Sequence, residues 1–450
     1  MEQEREKFSS SFTSFIATLS SAVGLGNIWL FPYVVGKNGG AAFIIVYLLC
    51  ILLIGLPTLI SEFAIGRGTK KNIFGAVKKV SDKKIFRGIG VLGVLSSYSI
   101  MFFYTVVAGW VYSYVFKALN GTLKGINAEK ASEVFNNTTS ASISPIIWLL
   151  IVLAVTSLIV TFGVKSGIEK LTKVSMPILI GILLIIVVKS LSLDGAMEGV
   201  MFLLKPDFSK ITFGTILTAL GLAFLKLSLG TGAIITYSSY FTEDNNLIKT
   251  AAKVAIADTC VSLLAGLAIF PAVFSFGLEV TSGPGLLFNT VPVIFENIPG
   301  GKILGVLFFL LAAMAATMAI ISMLEVIVAA FTEEFKISRK KVLFINFIFV
   351  AIIASITALS VNSTGAIGSF RIFGNNIFDF FDILTSKVLL PVNSLFTILL
   401  CGYFVDKRYM KDQLTNEGKL NSEITFKVTM GIMKYVSPVL LVVILIKSFI

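Results

Sequence analysis

Long apolar runs without a charged side chain recur along this chain, and they constrain its fold more than any other feature. Residues 145–164 and 342–358 are two such runs, and each approaches the length of about 20 residues that a helix needs to cross a bilayer. Hydrophobic residues make up 56% of the 450 residues and charged residues only 14%. A soluble core of this size cannot bury so much apolar surface. The sequence therefore predicts an all-α, polytopic integral membrane protein.

Hydropathy and helix-breaking residues divide the chain into eleven predicted spans. Their bounds are 12–36, 41–64, 89–117, 144–163, 169–191, 211–240, 249–277, 303–331, 341–360, 376–404 and 424–449. Basic side chains crowd the loops after the second, eighth and tenth spans, whereas the alternate loops carry few. Because cytoplasmic loops are enriched in Lys and Arg, we expect the N-terminus in the cytoplasm and the C-terminus outside. The net charge of +12 then reflects topology rather than nucleic-acid binding.

Composition also excludes several kinds of chemistry. The chain has no histidine, which removes imidazole metal ligands and imidazole proton relays. The cysteines Cys50, Cys260 and Cys401 lie in apolar stretches without the spacing of metal ligands. No phosphate-binding loop and no pairing of a nucleophile with a base is recognisable. We therefore predict neither an enzyme nor a bound cofactor.

Two of the predicted spans are interrupted by glycines at the depth of the membrane. The first contains SSAVGLGN at 20–27, and the sixth contains SLGTG at 228–232. A glycine costs a helix about 1 kcal/mol relative to alanine, so these segments indicate unwound helices; close helix packing through small residues is the alternative. The breaks lie five spans apart, which predicts one domain, 1–450, of two inverted repeats, 12–191 and 211–404, followed by an eleventh helix at 424–449. In such transporters the freed amides hold an anionic group near the midplane.

The segments around these breaks resemble a known family. SAVGLGNIWxFPY at 21–33 with NGGxxF at 38–43, LSLGxGAIITY at 227–237 and AGW at 108–110 are similar to motifs of the neurotransmitter:sodium symporters. The whole chain resembles the eleven-helix bacterial amino-acid transporters of that family. The resemblance implies an inverted-repeat bundle with discontinuous first and sixth helices, alternating access, a central amino-acid site, one or two sodium ions, and a place in the bacterial cytoplasmic membrane. It leaves the oligomeric state open.

The substrate class follows partly from Gly24. Without a side chain, Gly24 leaves the amides of the first break open to a carboxylate, whereas relatives that take monoamines carry an acidic residue there. The resemblance implies that Tyr104 donates to the substrate carboxylate and closes the site from outside; an interface tyrosine is the alternative. The other expected substrate-binding positions are Ala22, Leu25, Gly26, Ile100, Leu225, Ser228, Thr231, Ala319 and Met323. This mostly aliphatic wall suits a neutral, apolar L-amino acid.

The second sodium site of the family is degenerate in this sequence. The family uses the hydroxyls of consecutive Thr and Ser residues in the eighth helix, and the matching residues here are Met318 and Ala319. Thr317 is adjacent, but one residue turns about 100° around a helix, so it should face elsewhere. The remaining positions that the resemblance assigns to this site are Ser20, Val23 and Ala315. We expect sodium dependence to be lost or reduced.

The first sodium site is changed more sharply. Asn27 is retained, but Lys226 replaces a threonine ligand and Asp258 replaces an asparagine ligand. An ionisable residue at the membrane midplane is costly and marks a functional candidate with a partner. We predict that the Lys226 ammonium occupies the first sodium position, bonded to Asp258, Asn27 and the substrate carboxylate. A purely structural ion pair and a lysine that snorkels to water are the alternatives. Ser262 matches the serine of chloride-dependent members, yet the negative Asp258 disfavours chloride.

Gate residues also follow from the resemblance. Arg5 matches the inner-gate arginine, and Glu333 is its expected carboxylate, with Ser239 and Tyr240 beside them. Phe8 stands where a tryptophan is usual. At the outer gate Asp382 is retained, but Leu30 replaces its arginine. Closure from outside is therefore expected to depend on Tyr104 and aliphatic packing.

The sequence thus predicts a secondary transporter of a neutral L-amino acid that is sodium-independent or proton-linked, with Lys226 as a built-in cation. A conventional sodium-coupled symporter is the first alternative, and a sensor that binds an amino acid without transporting it is the second. An inner gate between Arg5 and Glu333 argues against the sensor, because a pure receptor does not need to open inward. The expected partners are the amino acid and the lipid bilayer, with no nucleic acid.

Overall fold

The computed structural model describes residues 6–278, 285–362, 365, 367–420 and 423–448. Nine helices in this part of the chain are long and apolar enough to cross a membrane, and one bent pair makes a tenth span. We assign two shorter helices, at the position of the predicted sixth span, to a further span. The eleven spans are Ser11–Ala22 with Gly26–Lys37, Ala41–Thr69, Lys84–Asn120, Ser144–Thr161, Val164–Leu191, Phe213–Lys226 with Ala233–Ser238, Leu247–Ser275, Gly301–Phe335, Arg339–Ser360, Ile377–Phe404 and Glu423–Lys447.

These helices confirm the predicted all-α polytopic fold, and each predicted span overlaps one observed span. The third and eighth spans pack against each other in the middle of the bundle. The fourth and fifth spans expose large apolar side chains such as Leu158 and Val188 on the outer surface. Exposed apolar faces of this extent on a helical bundle belong in lipid. The inverted repeat and the orientation of the termini remain predictions.

Short helices also form in the connections between spans, which the hydropathy pattern did not predict. One of them, Ala128–Ser140, lies in the stretch expected to be a polar outer loop. It begins at Asn127, whose side chain accepts a hydrogen bond from the Lys130 amide at 2.9 Å. Its Ala131 packs with Ile126 and Val293 in a small apolar cluster. The other connecting helices are Ile73–Val80, Ala196–Leu204, Leu286–Thr290 with Val291–Glu296, and Lys407–Thr415.

The first and sixth spans are interrupted where the glycine-bearing segments predicted. The two halves of the first span meet at Val23–Leu25 with a bend of 60°. In the sixth, the helix stops at Lys226 and resumes at Ala233, and Ser228, Gly230 and Gly232 all have positive φ between them. Glycine adopts that conformation without strain. A Cβ on Gly230 would also lie 2.7 Å from the Leu390 carbonyl oxygen, so the break needs a glycine for space as well.

Candidate substrate and ion site

A buried ion pair lies between the broken sixth span and the intact seventh. Lys226 is the last residue of Phe213–Lys226, and Asp258 lies in the middle of Leu247–Ser275. The Lys226 Nζ and Asp258 Oδ2 atoms are 3.0 Å apart, and both side chains are completely buried. The complete burial contradicts the snorkelling alternative, because the ammonium does not reach the surface. A pair this deep is stable only if further polar partners compensate its lost hydration.

The Lys226 ammonium is surrounded by aromatic groups as well as by the carboxylate. It donates to the Tyr47 hydroxyl at 2.7 Å. It also lies 4.6 Å from the ring centroids of both Phe31 and Tyr47. An aromatic face attracts a cation through its quadrupole. The pocket formed by Phe31, Tyr47 and Asp258, called here the lysine cage, therefore favours the charged form of Lys226 at a fixed position.

Asp258 connects this cage to the break in the first span. The Asn27 amide nitrogen donates to Asp258 Oδ1 at 2.6 Å and also contacts the Asp258 carbonyl oxygen and the Ser262 hydroxyl. The Asn27 amide oxygen accepts from the backbone N–H of Gly24 at 3.1 Å. Asn27 thus reaches Lys226 through Asp258, and not by the direct bond that the sequence predicted. The reason is that the ammonium turns toward Tyr47, on the second span.

The first break brings together the groups expected to bind a carboxylate. The Leu25 amide donates to the Tyr104 hydroxyl at 2.9 Å. A hydroxyl that accepts one bond keeps its own hydrogen for another partner, so Tyr104 can still donate. A Cβ on Gly24 would lie 2.9 Å from the Tyr104 hydroxyl oxygen and 3.4 Å from Cβ of Ala319. Gly24, Tyr104 and Ala319 therefore meet, and any side chain at position 24 would crowd this point.

The other predicted substrate positions are buried, except that Gly26 and Leu225 are partly exposed. Ser228 donates to the Ser21 carbonyl oxygen at 2.7 Å and so connects the two breaks. Thr231 donates to the Ser228 carbonyl oxygen at 2.6 Å and accepts from the Ala233 amide. Both hydroxyls are thereby used to hold the backbone of the sixth-span break. The remaining buried positions, whose side chains have no polar group, are Ala22, Ile100 and Met323.

The predicted second sodium position offers few side-chain oxygens. Ser20 donates its hydroxyl to the Ala17 carbonyl oxygen at 2.7 Å. Thr317 donates to the Ala313 carbonyl oxygen and contacts the Tyr112 hydroxyl at 2.6 Å. Its hydroxyl therefore faces away from the predicted sodium position, as expected from the helical turn. The other residues predicted for this position carry no side-chain oxygen: Val23, Ala315, Met318 and Ala319. Within the described residues, no three Asp, Glu or Cys side chains come together as metal ligands either.

A second ion pair, which sequence reasoning missed, has a completely buried carboxylate and lies at the end of the bundle that the basic loops predict to be cytoplasmic. Glu325 of the eighth span pairs with Arg339 at the start of the ninth. The Tyr240 hydroxyl donates to Glu325 at 2.8 Å, and Arg339 donates to the Val160 carbonyl oxygen at 2.7 Å. The signal in the sequence was Glu325 itself, an acidic residue inside an apolar span. Its partner is not identifiable from the sequence, because Arg339 is one of several basic residues in the loop after the eighth span.

Of the other predicted inner-gate residues, Phe8 and Ser239 lie beside Tyr240, Glu333 bonds to Asn72, and Arg5 is outside the described residues. Glu333 accepts from the backbone and side-chain nitrogens of Asn72 at 2.9 and 3.0 Å. The backbone amide of Phe8 donates to the Tyr240 carbonyl oxygen at 2.9 Å, and its ring packs edge-on against Tyr240. Ser239 donates to the Thr236 carbonyl oxygen. The predicted pairing of Glu333 with Arg5 stays a prediction.

At the end predicted to face outside, the contacts around Asp382 are aromatic rather than ionic in the described residues. Asp382 is partly buried, and no Lys or Arg nitrogen of the described residues lies within salt-bridge distance of it. Around it the third and tenth spans meet through Phe102 with Phe381, at 5.0 Å between ring centroids, and Phe103 with Phe378, at 5.7 Å. Such ring pairs exclude water without an ion pair.

A bundle of membrane spans with two unwound helices around a buried polar site defines a membrane transport protein rather than an enzyme. The chain belongs to the sodium:neurotransmitter symporter family, whose model matches residues 5–145 and 132–450. It is 35% identical to the uncharacterized sodium-dependent transporter YhdH of Bacillus subtilis over 98% of this chain and 97% of that one. An uncharacterized sodium-dependent transporter of Haemophilus influenzae is 34% identical over 99% and 98%. The fold is similar to the crystal structure of MhsT in complex with L-phenylalanine, with a TM-score of 0.91, 37% identity and coverage of 99% and 100%.

Proposed function

We propose that this protein is a secondary transporter of a neutral, apolar L-amino acid in which the Lys226 ammonium takes the place of the first sodium ion. The observation that carries the proposal is the lysine cage, which holds a cation between Phe31, Tyr47 and Asp258. The stem of Lys226 also runs along the first break, since a Cβ on Gly26 would lie 3.4 Å from Lys226 Cγ. The lysine side chain is therefore adjacent to the segment that would receive a substrate carboxylate.

The positive charge of Lys226 would have the same electrostatic effect on the site as a bound sodium ion. A substrate carboxylate beside Asp258 would place two negative charges in a poorly hydrated cavity, which is unfavourable without a cation. Lys226 supplies that cation from the chain itself, and Asp258 and Tyr47 fix its position. The scarcity of side-chain oxygens at the second sodium position supports the same conclusion. Chloride is disfavoured by Asp258, which already contributes a negative charge.

Gly24 and the apolar wall support the substrate class. The absence of a carboxylate at position 24 leaves the break free to bind one from the substrate. Ile100, Leu225 and Met323 suit an apolar side chain. The similar structure of MhsT contains L-phenylalanine, which makes this amino acid the first ligand to test. The inner pair of Glu325 and Arg339 supports transport over sensing, because it provides a gate that can open toward the cytoplasm, where the basic loops place this end.

A conventional sodium-coupled symporter is the second candidate. It is favoured by Asn27 and Asp258, which retain oxygen ligands at the first sodium position, and by the relatives, which are named sodium-dependent transporters. In this alternative Lys226 would move aside when sodium binds. The cage opposes such a movement, because the ammonium would leave two aromatic faces and a carboxylate at once.

The two candidates differ in their response to sodium. When sodium replaces choline, we expect the affinity for L-phenylalanine to change by less than about twofold. The melting temperature of the purified protein should change by less than about 2 °C. The reason is that an ion that does not bind cannot shift either equilibrium. Equilibrium binding and thermal unfolding at equal ionic strength measure both quantities. A gain in affinity of about tenfold or more with sodium would favour the sodium-coupled symporter.

A further inference from the structure

Glu62 is a buried carboxyl group whose position neither the substrate nor the lysine cage explains. It lies on Leu56–Thr69, the second half of the second span, and is 1% exposed. One oxygen, Oε1, accepts the backbone N–H of Gly230 at 2.8 Å. The other, Oε2, is buried and has no hydrogen-bond partner. Glu62 therefore contacts the sixth-span break directly, and its second carboxyl oxygen makes no hydrogen bond.

Glu62 differs from the other buried acids of the bundle in its charge balance. Asp258 pairs with Lys226 and Glu325 with Arg339, whereas no Lys or Arg nitrogen in the described part of the chain pairs with Glu62. A buried carboxylate without a cation is strongly disfavoured, but a neutral carboxylic acid needs only ordinary hydrogen bonds. The geometry thus suits the protonated form of Glu62 in this conformation.

The ionisable groups on the elements around Glu62 do not change this conclusion. One of them is the thiol of Cys401, which donates to the Ser61 carbonyl oxygen at 3.8 Å. Other ionisable groups on these elements have partners away from Glu62. Asp258 pairs with Lys226, Arg67 bonds to Gln413 and Asn416, and Lys79 bonds to the Thr69 carbonyl oxygen. Tyr409 bonds to the Ala64 carbonyl oxygen, Lys434 lies over the Tyr403 ring, and Tyr237 lies beside Glu325 and Arg339. None of them supplies a cation to the Glu62 carboxyl.

The tenth span adds polar groups at the same glycine. Asn393 donates to the Gly230 carbonyl oxygen at 2.7 Å, and the Ser394 hydroxyl oxygen would lie 3.0 Å from a Cβ on Gly230. The side-chain oxygens of Asn393 and Ser394 are buried without a hydrogen-bond partner. Buried polar atoms are seldom left unpaired, so the Asn393 and Ser394 oxygens can still bind a group that carries a proton.

We infer that Glu62 is a proton-binding site that couples movement of the sixth-span break to the pH difference across the membrane. The inference rests on the proposed sodium-independent transport and identifies the group that takes up the driving ion. Transporters of this architecture alternate by moving one part of the bundle against the other. A movement of the break that separates Gly230 from Glu62 and admits water lets the carboxylic acid release its proton. Return to the closed state requires the carboxylate to bind a proton again.

The test uses the full-length protein in proteoliposomes with choline on both sides and the membrane potential clamped by potassium and valinomycin. Uptake of labelled L-phenylalanine is measured with and without an inward proton gradient of about one pH unit, which at one-to-one coupling supports about tenfold accumulation. We expect the parent protein to accumulate the amino acid and to acidify the lumen, detected with an enclosed pH dye. In Glu62→Gln the ratio of uptake with and without the gradient should fall to about one, because the amide cannot release a proton.

The exposed residue Glu198 provides a matched control, since Glu198→Gln makes the same chemical change on the surface and should keep the parent ratio. Gradient-driven accumulation in Glu62→Gln overturns the inference, and so does a parent protein that takes up L-phenylalanine without acidifying the lumen. The second result does not depend on the variant's folding. A parent protein that needs sodium overturns the proposed function instead; Glu62 is then tested by the same gradient with equal sodium on both sides.

Discussion

Lys226→Ala is expected to abolish sodium-free binding of L-phenylalanine. Without the ammonium, Asp258 and the substrate carboxylate face each other in a buried site. An uncompensated buried charge costs on the order of 3–5 kcal/mol, which corresponds to a loss of affinity of about a hundredfold or more. Equilibrium binding of the labelled amino acid in choline buffer measures the change. Lys226→Thr, which introduces the threonine that the family resemblance implies at this position, should lose sodium-free binding in the same way.

A double variant provides the control for this prediction. Combining Lys226→Ala with Asp258→Asn removes both charges, so its loss of affinity should be smaller than that of Lys226→Ala alone. A non-additive result of this kind shows that the two side chains interact. Wild-type affinity in Lys226→Ala would mean that the ammonium does not serve the substrate, and the ion pair would then be purely structural.

The second large effect concerns the carboxylate of the substrate. Phenylethylamine, which is L-phenylalanine without its carboxylate, should bind far more weakly. Losing a buried, charge-assisted partner costs about 2–5 kcal/mol, or more than tenfold in affinity. Competition against labelled L-phenylalanine measures the difference. Equal affinities would contradict the assignment of the first break as the carboxylate site.

Gly24 allows the same claim to be tested from the protein side. Gly24→Asp should abolish binding, because its carboxylate would oppose that of the substrate. Any side chain here also meets the Tyr104 hydroxyl, since even a Cβ would lie 2.9 Å from it. Gly24→Asn has nearly the same size without the charge and separates the two effects. Gly24→Asp must bind the amino acid more weakly than Gly24→Asn if repulsion between charges contributes.

The fold was largely predictable because a membrane imposes simple constraints on sequence. A span must be long and apolar, and backbone at bilayer depth can unwind only where the protein provides other partners. The glycines at 24, 26, 230 and 232 therefore indicated the breaks. The helix Ala128–Ser140 escaped prediction because it is short and most of its side chains are polar, so hydropathy does not mark it.

The candidate site was predictable where the family resemblance assigned a role to a sequence position. It was less predictable where the contacts of a side chain depend on three-dimensional packing. The replacements at Lys226 and Asp258 were visible in the sequence. The aromatic part of the cage was not, because Phe31 and Tyr47 lie in apolar runs where an aromatic residue is ordinary. Whether Asn27 bonds to Lys226 directly or through Asp258 depends on the direction of the lysine side chain. The sequence does not determine that direction, because the side chain is long and flexible.

The most direct test of the built-in cation is transport by the unaltered protein without sodium. Labelled L-phenylalanine uptake is measured in proteoliposomes with sodium replaced by choline on both sides, and compared with uptake in sodium at the same ionic strength. We expect uptake rates that agree within about twofold, because Lys226 already supplies the charge that sodium would bring. Uptake that requires sodium, with none above background in choline, would contradict it.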